Sequence, residues 1–134
     1  MSVSSMYMLD TDTVSFALRG VGRVGDRLLG EKPSAVCISS LTLAELRFGA
    51  ERRRSRRLHK LIDNFVAPLL VAPFGADAAN RFGQIASVLA ASGTPIGQID
   101  TLIAAHALAL DVTLVTNNDR HFGRVRGLRT ESWR

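Results

Sequence analysis

The 134-residue chain holds one cysteine, one tryptophan, one tyrosine and, among its 17 basic Lys and Arg residues, only two lysines, Lys32 and Lys60. A single cysteine excludes an internal disulfide and a thiolate cluster around a metal. Cys37 stands in the apolar segment Ala35-Val36-Cys37-Ile38, where a free cysteine serves as a small buried side chain. A reducing cytoplasm accords with that usage. With so few aromatic rings besides the six Phe, no stacking platform for single-stranded RNA is evident. Long apolar runs are missing too. The richest stretch, Leu102 to Val115, is broken by His106 and Asp111 and falls short of the roughly 20 residues of a membrane span. The N-terminus lacks the basic start and apolar core of a secretory signal. No repeat, low-complexity tract or dividing linker interrupts the chain.

A hydrophobic fraction of 46% and a charged fraction of 22% describe a soluble globular protein, one domain over residues 1–134 with a real core. The formal net charge of +5 and pI near 10.6 call for an anionic partner, and charge alone does not choose between nucleic acid and an acidic protein.

Short apolar runs alternate with helical patterns, which predicts an α/β fold with a central, mainly parallel sheet flanked by helices. Strands are expected at Tyr7-Met8-Leu9, Ala35 to Ile38, Leu69 to Val71 and Thr113 to Val115, with an edge strand near Leu128 to Thr130. Helices are expected over Thr11 to Leu18, from Val24 to Leu29, over Leu41 to Phe48 with Gly49 near the end, over Arg56 to Phe65, over Asp77 to Ala91, and over Asp100 to Leu110. In the fifth of these, Ala78, Phe82, Ile85, Ala86 and Leu89 share one face. Gly93-Thr94-Pro95-Ile96-Gly97 reads as a loop.

Three isolated acids border the apolar stretches: Asp10 after the first strand, Glu45 within SLTLAELRFGA, and Asp100 opening DTLIAAHAL. Each has a plain structural reading. Asp10 can cap the helix that follows it. Thr42-Leu43-Ala44-Glu45 matches a capping box, although Ser39 or Ser40 would cap the helix earlier and leave Glu45 inside it. Asp100 can serve a helix start through its dipole. The shared context supplies the other reading. Strand ends of an α/β sheet gather distant segments at one edge, where carboxylates repel by roughly 1 to 4 kcal/mol per close pair. A hard divalent cation removes that conflict and serves phosphate chemistry. A fourth polar cluster, Asn117-Asn118-Asp119, follows the run Thr113 to Thr116. His106 lies six positions after Asp100, not on one face with it, and reads as a packed residue.

The segments YMLDTDTVSF, ISSLTLAELRFGA, PIGQIDTLIAAHALAL and TLVTNNDRHF, in that order, resemble the PIN-domain ribonucleases and, more narrowly, the VapC toxins of bacterial toxin–antitoxin pairs. The resemblance runs from Tyr7 to Trp133. It implies a parallel sheet between helices with an acidic pocket at the C-terminal strand edge, where Asp10, Glu45 and Asp100 match the first, second and third metal-binding acids. It further implies Mg²⁺- or Mn²⁺-dependent endonucleolytic RNA cleavage, a homodimer, and a VapB-like antitoxin that blocks the pocket. The fourth position departs from the pattern: Asn118 and His121 stand where family members carry an acid, and Asp119 lies between them.

Asp10 and Asp100 are then expected to hold the ion and Glu45 to bind a second ion or orient the attacking water, with Asp119 as a fourth catalytic candidate and Thr116 and Asn118 near the substrate. The run Glu51-Arg52-Arg53-Arg54-Ser55-Arg56-Arg57 reads as a solvated face or, through Arg52 and Arg53, as a phosphate-binding rim or a dock for an acidic antitoxin segment. The alternative is a PIN-like module that binds RNA or a partner without cleaving. His59, His106 and His121 offer a metal-free route through general acid–base catalysis.

Overall fold

A computed structural model describes residues 6–134; the first five residues of the expected domain lie outside it. Five strands, β1 (Tyr7–Leu9), β2 (Val36–Ser39), β3 (Leu70–Ala72), β4 (Thr113–Val115) and β5 (Thr130–Glu131), form one sheet in the order β3-β2-β1-β4-β5. Every pairing is parallel.

Strand register explains the two cores. Met8 is level with Cys37 and Leu114, and Leu9 with Ile38 and Val115. Successive strand residues point to opposite faces. The Met8 layer accordingly packs on α5 (Ala76–Ala91) and α6 (Gln98–Leu110) through Leu89, Ile103, Ala104 and Ala107. The Leu9 layer packs on α1 (Thr11–Arg19), α2 (Val24–Leu29), α3 (Ser40–Arg52) and α4 (Arg56–Val66) through Val14, Val24, Leu46 and Ile62. Buried Trp133 joins this second core from the tail, edge-on to Tyr7.

The alternation of strands and helices follows the sequence, and the expected face of α5 is the face that avoids solvent. Cys37 is fully buried, which pushes its thiol up to about 11. Three expectations change. The third helix does not stop near Gly49 but runs on to Arg52, because Ala50 packs into the core beyond the glycine. The sixth begins at Gln98 rather than Asp100, behind Gly97 at φ +100°, a backbone conformation that favours glycine. A short α7 (Asp119–Phe122), which no apolar periodicity announces, follows β4 and buries Phe122.

Candidate active site

β1 is the centre of the sheet. The chain leaves it on one side through β2 and β3, then returns to pair β4 on the other. That reversal lies between β1 and β4, and ligands of open α/β sheets bind outside the carboxyl ends of the strands at such a point. Asp10 directly follows β1 there and Thr116 directly follows β4. The Asp10 N–H donates to Val115 O at 3.0 Å, and the Thr13 hydroxyl donates to the same carbonyl at 3.1 Å.

Asp10 is both a cap and a buried acid. Its Oδ1 accepts the Thr13 N–H at 2.9 Å, while the residue is only 5% exposed. Burial holds its carboxyl above the ordinary carboxylate range; hydrogen bonding from Thr116 and Thr13 pulls the value back only in part, and Asp12 adds repulsion. An acid kept this way gains from a nearby cation.

Glu45 is not part of a capping box. Ser39 caps α3, its Oγ accepting the Leu41 N–H at 3.0 Å, which places Glu45 inside the helix. Its Oε1 accepts the Thr11 hydroxyl, so the residue after Asp10 is tied to α3. Sequence reasoning did not single out Thr11, though its place beside Asp10 is the available signal.

Asp100, in the first turn of α6, faces α7. Its Oδ2 lies 3.4 Å from His121 Nδ1, and that nitrogen lies 3.0 Å from Asn118 Nδ2. Asn118 in turn donates its N–H to Thr116 Oγ1 at 3.0 Å. The two sides of the site are thus joined through Thr116, Asn118 and His121. Asp119 opens α7 with its side chain exposed, and its carbonyl accepts the Gly123 N–H. His121, read from sequence only as an alternative base or a departure from the pattern, touches the third acid. His106 is buried away from the site against Ser39 Oγ at 2.8 Å, as a packed residue would be.

A groove of about 360 Å³ leads away from Glu45 between α1, α3 and α4. Leu18, Leu46, Leu58 and Ile62 line it together with Thr11, Glu45, Arg19 and Arg53. Arg53 thus lines the same groove as Glu45, whereas the Arg52 guanidinium sits 5.8 Å from the Phe48 ring centroid.

Among the described residues no three His, Cys, Asp or Glu side chains are grouped closely enough to hold an ion together. The acids are instead spread over separate elements: buried Asp10 after β1, Glu45 within α3 bonded to Thr11, and Asp100 in the first turn of α6. Such an open arrangement fits Mg²⁺ or Mn²⁺. These ions keep several waters and rely on one or two carboxylates plus substrate phosphate, not an all-protein cage.

The PIN domain family matches residues 7–128. The tRNA(fMet)-specific endonuclease VapC of Shigella flexneri is 40% identical over 128 residues, 95% of this chain and 97% of the relative. The DNA-bound VapBC crystal structure from Salmonella typhimurium superposes with a TM-score of 0.90 at 38% identity, covering 96% of this chain and 98% of that one. VapBC2 of Rickettsia felis, bound to a promoter DNA fragment, gives 0.89 at 33% identity, over 96% and 99% of the two chains. This chain belongs to the PIN-domain family and, within it, to the VapC ribonucleases. With that membership goes the function of a toxin endoribonuclease.

Proposed function

We propose that this toxin cleaves RNA by a divalent-cation-dependent attack of water on a phosphodiester, with Mg²⁺ or Mn²⁺ held by Asp10 and Asp100 and with Glu45 acting on the attacking water. The observation that carries the reading is the buried, cation-seeking Asp10 carboxylate at the β1/β4 switch point. A bound cation supplies a lowered water pKa and neutralises charge developing on phosphorus. The chain supplies the rest. Thr13 and Thr116 fix the Asp10 carboxylate, Thr11 fixes Glu45, and His121 with Asn118 borders Asp100. Glu45, at the mouth of the groove, orients the attacking water and accepts its proton. Arg19 and Arg53 bind the RNA backbone along the groove.

The substrate class we propose is tRNA, by similarity to the tRNA(fMet)-specific endonuclease of Shigella flexneri. RNA over DNA is chosen by shape and 2′-hydroxyl contacts, since water is the nucleophile. The antitoxin partner is VapB-like, as in the neighbouring complexes; its inhibitory segment covers the groove, with apolar side chains on Leu18 and Leu46 and acidic ones on Arg19 and Arg53. A homodimer in the cytoplasm completes the proposal. Cleavage of tRNA by the purified toxin tests it: activity must vanish in chelator, return with Mg²⁺ or Mn²⁺, and fail in Asp10→Asn. Metal-dependent binding without cleavage by the intact chain would favour the second reading, a silent RNA-binding module.

A further inference from the structure

The groove that leads away from Glu45 carries a charge gradient on two of its walls. Along α1 it passes from Asp12 in the first turn to Arg19 in the last, and along α3 from Glu45 to Arg53 at the C-cap. At a rise of about 1.5 Å per residue, the basic end lies about 10–12 Å beyond the acidic one. A helix C-terminus favours an arginine in any protein, but a third cation at this end belongs to no helix. Arg134 brings its guanidinium to 5.5 Å from the centre of the Phe16 ring, which the Arg19 guanidinium approaches to 5.3 Å. The tail that carries Arg134 is anchored. Trp133 is buried, and Ser132 Oγ accepts the Arg134 N–H at 3.3 Å while donating to Asn117 Oδ1 at 2.9 Å. Among the described residues Arg19, Arg53 and Arg134 have no carboxylate partner, whereas Arg27, Arg47 and Arg129 are each paired with one. Two guanidiniums gathered on one ring repel each other and gain from a shared anion.

We propose that Arg134 and Arg19, backed by Phe16, form a phosphate clamp that holds the RNA backbone where it leaves the basic end of the groove. The inference rests on the RNA-cleaving reading above and deepens it, adding a residue of the C-terminal tail to the substrate surface. A strand cut at the acidic end lays its neighbouring phosphates along the groove toward Arg53 and Arg19. Planar guanidiniums suit that partner, because they bind phosphate oxygens through paired hydrogen bonds.

The test measures tRNA binding by the full chain over a salt series, in excess chelator so that the RNA stays intact. Arg134→Gln should weaken binding about fivefold near 0.1 M salt and lower the slope of log affinity against log salt by about 0.7–0.9, the loss of one phosphate contact. Arg134→Lys, which keeps the charge, should keep the slope. Arg27→Gln, which removes a guanidinium from the neighbouring Trp133 ring, should change neither quantity. With Mg²⁺ or Mn²⁺ added, the loss in cleavage by Arg134→Gln should fall on KM. An unchanged slope for Arg134→Gln, or an equal drop for Arg27→Gln, overturns the clamp and leaves the RNA-cleaving reading standing. Weaker binding of an acidic VapB-like peptide by Arg134→Gln, with tRNA binding intact, also overturns the clamp and gives the surface to the antitoxin. Wild-type protein that neither binds nor cuts RNA overturns the RNA-cleaving reading and this inference with it.

Discussion

The Asp10 carboxylate accepts the Thr13 N–H at 2.9 Å from a position only 5% exposed. One side chain thereby closes the first turn of α1 and carries a buried negative charge to the switch point of the sheet. Capping and ion binding are not rival roles for it. The cap bond orients the carboxylate, and burial makes its charge costly until a cation arrives.

The two roles separate by substitution. Asp10→Asn keeps an acceptor for Thr13 but removes the charge, so cleavage should fall at least about a hundredfold. Because the folded-state value is raised, the acid stabilises the fold fully only below its ordinary unfolded value. That contribution is lost as pH rises through the raised value. At neutral pH the Asn variant should therefore be at least as stable as wild type, and the advantage should vanish on acidification to below the ordinary range. Asp10→Ala also loses the cap and should be about 1 kcal/mol less stable than Asp10→Asn. Asp100→Asn should silence cleavage as well. Denaturant titrations at neutral and acid pH, beside an RNA cleavage assay, read all of these.

Thr11 ties Glu45 to the start of α1. Thr11→Val keeps the shape and leaves the glutamate free to turn. Cleavage should drop about tenfold with a stability loss of about 1 kcal/mol, and Thr11→Ser should restore both. If Thr11→Val cleaves as wild type while losing the stability, the bond is architectural only.

Much of this architecture is legible in the sequence because it rests on periodicity. Strand residues such as Leu9 and Val115 sit in short apolar runs, and Ala78, Phe82, Ile85 and Leu89 recur at helical spacing in α5. Asp10 and Asp100 declare themselves by standing singly beside such elements. What escaped was decided by contacts between segments. Thr42 to Glu45 satisfies a capping-box pattern locally, and the choice between it and the earlier Ser39 cap, which the sequence also offers, is decided by the fold in favour of Ser39. The α6 start depends on the backbone torsion of Gly97, and α7 is too short to show a period. The Asp100–His121 pairing spans 21 positions between two elements, so no local pattern announces it.

Arg52 and Arg53 are neighbours in sequence with different surroundings. Arg53 lines the groove with Glu45, while Arg52 covers Phe48. Arg53→Ala should weaken RNA binding and lower the slope of log affinity against log salt by about 1. Arg52→Ala should leave the slope unchanged. Equal slopes for both variants would return Arg53 to the role of a solvated charge.

The tail is held by burial, not by its ion pair. Trp133 is 1% exposed, edge-on to Tyr7, and donates its indole N–H to Glu131 at 2.6 Å. Trp133→Ala should cost about 3–5 kcal/mol in urea unfolding. The Arg27–Glu131 pair beside it is largely exposed, at 46% and 38%, and such pairs contribute up to about 1 kcal/mol. Arg27→Met should accordingly lose far less than Trp133→Ala.

The fourth position of the acidic edge gives the sharpest contrast between adjacent residues. Asp119 carries a charge, but its side chain is exposed at the first turn of α7. Asn118 carries none, yet its backbone N–H holds Thr116 and its amide holds His121. Thr116 in turn lies against the Asp10 carboxylate. Losing the Asn118 amide should therefore loosen the ring that borders Asp100, while losing Asp119 removes only a solvated charge. Asn118→Ala should raise the Mg²⁺ or Mn²⁺ concentration for half-maximal cleavage by about 10-fold or more, the range found when partners that orient metal ligands are lost. Asp119→Ala should shift it less than about twofold, since an exposed charge is screened by salt. A metal titration of the two variants at fixed RNA distinguishes them, because a shift confined to Asp119→Ala would assign the fourth position to that carboxylate.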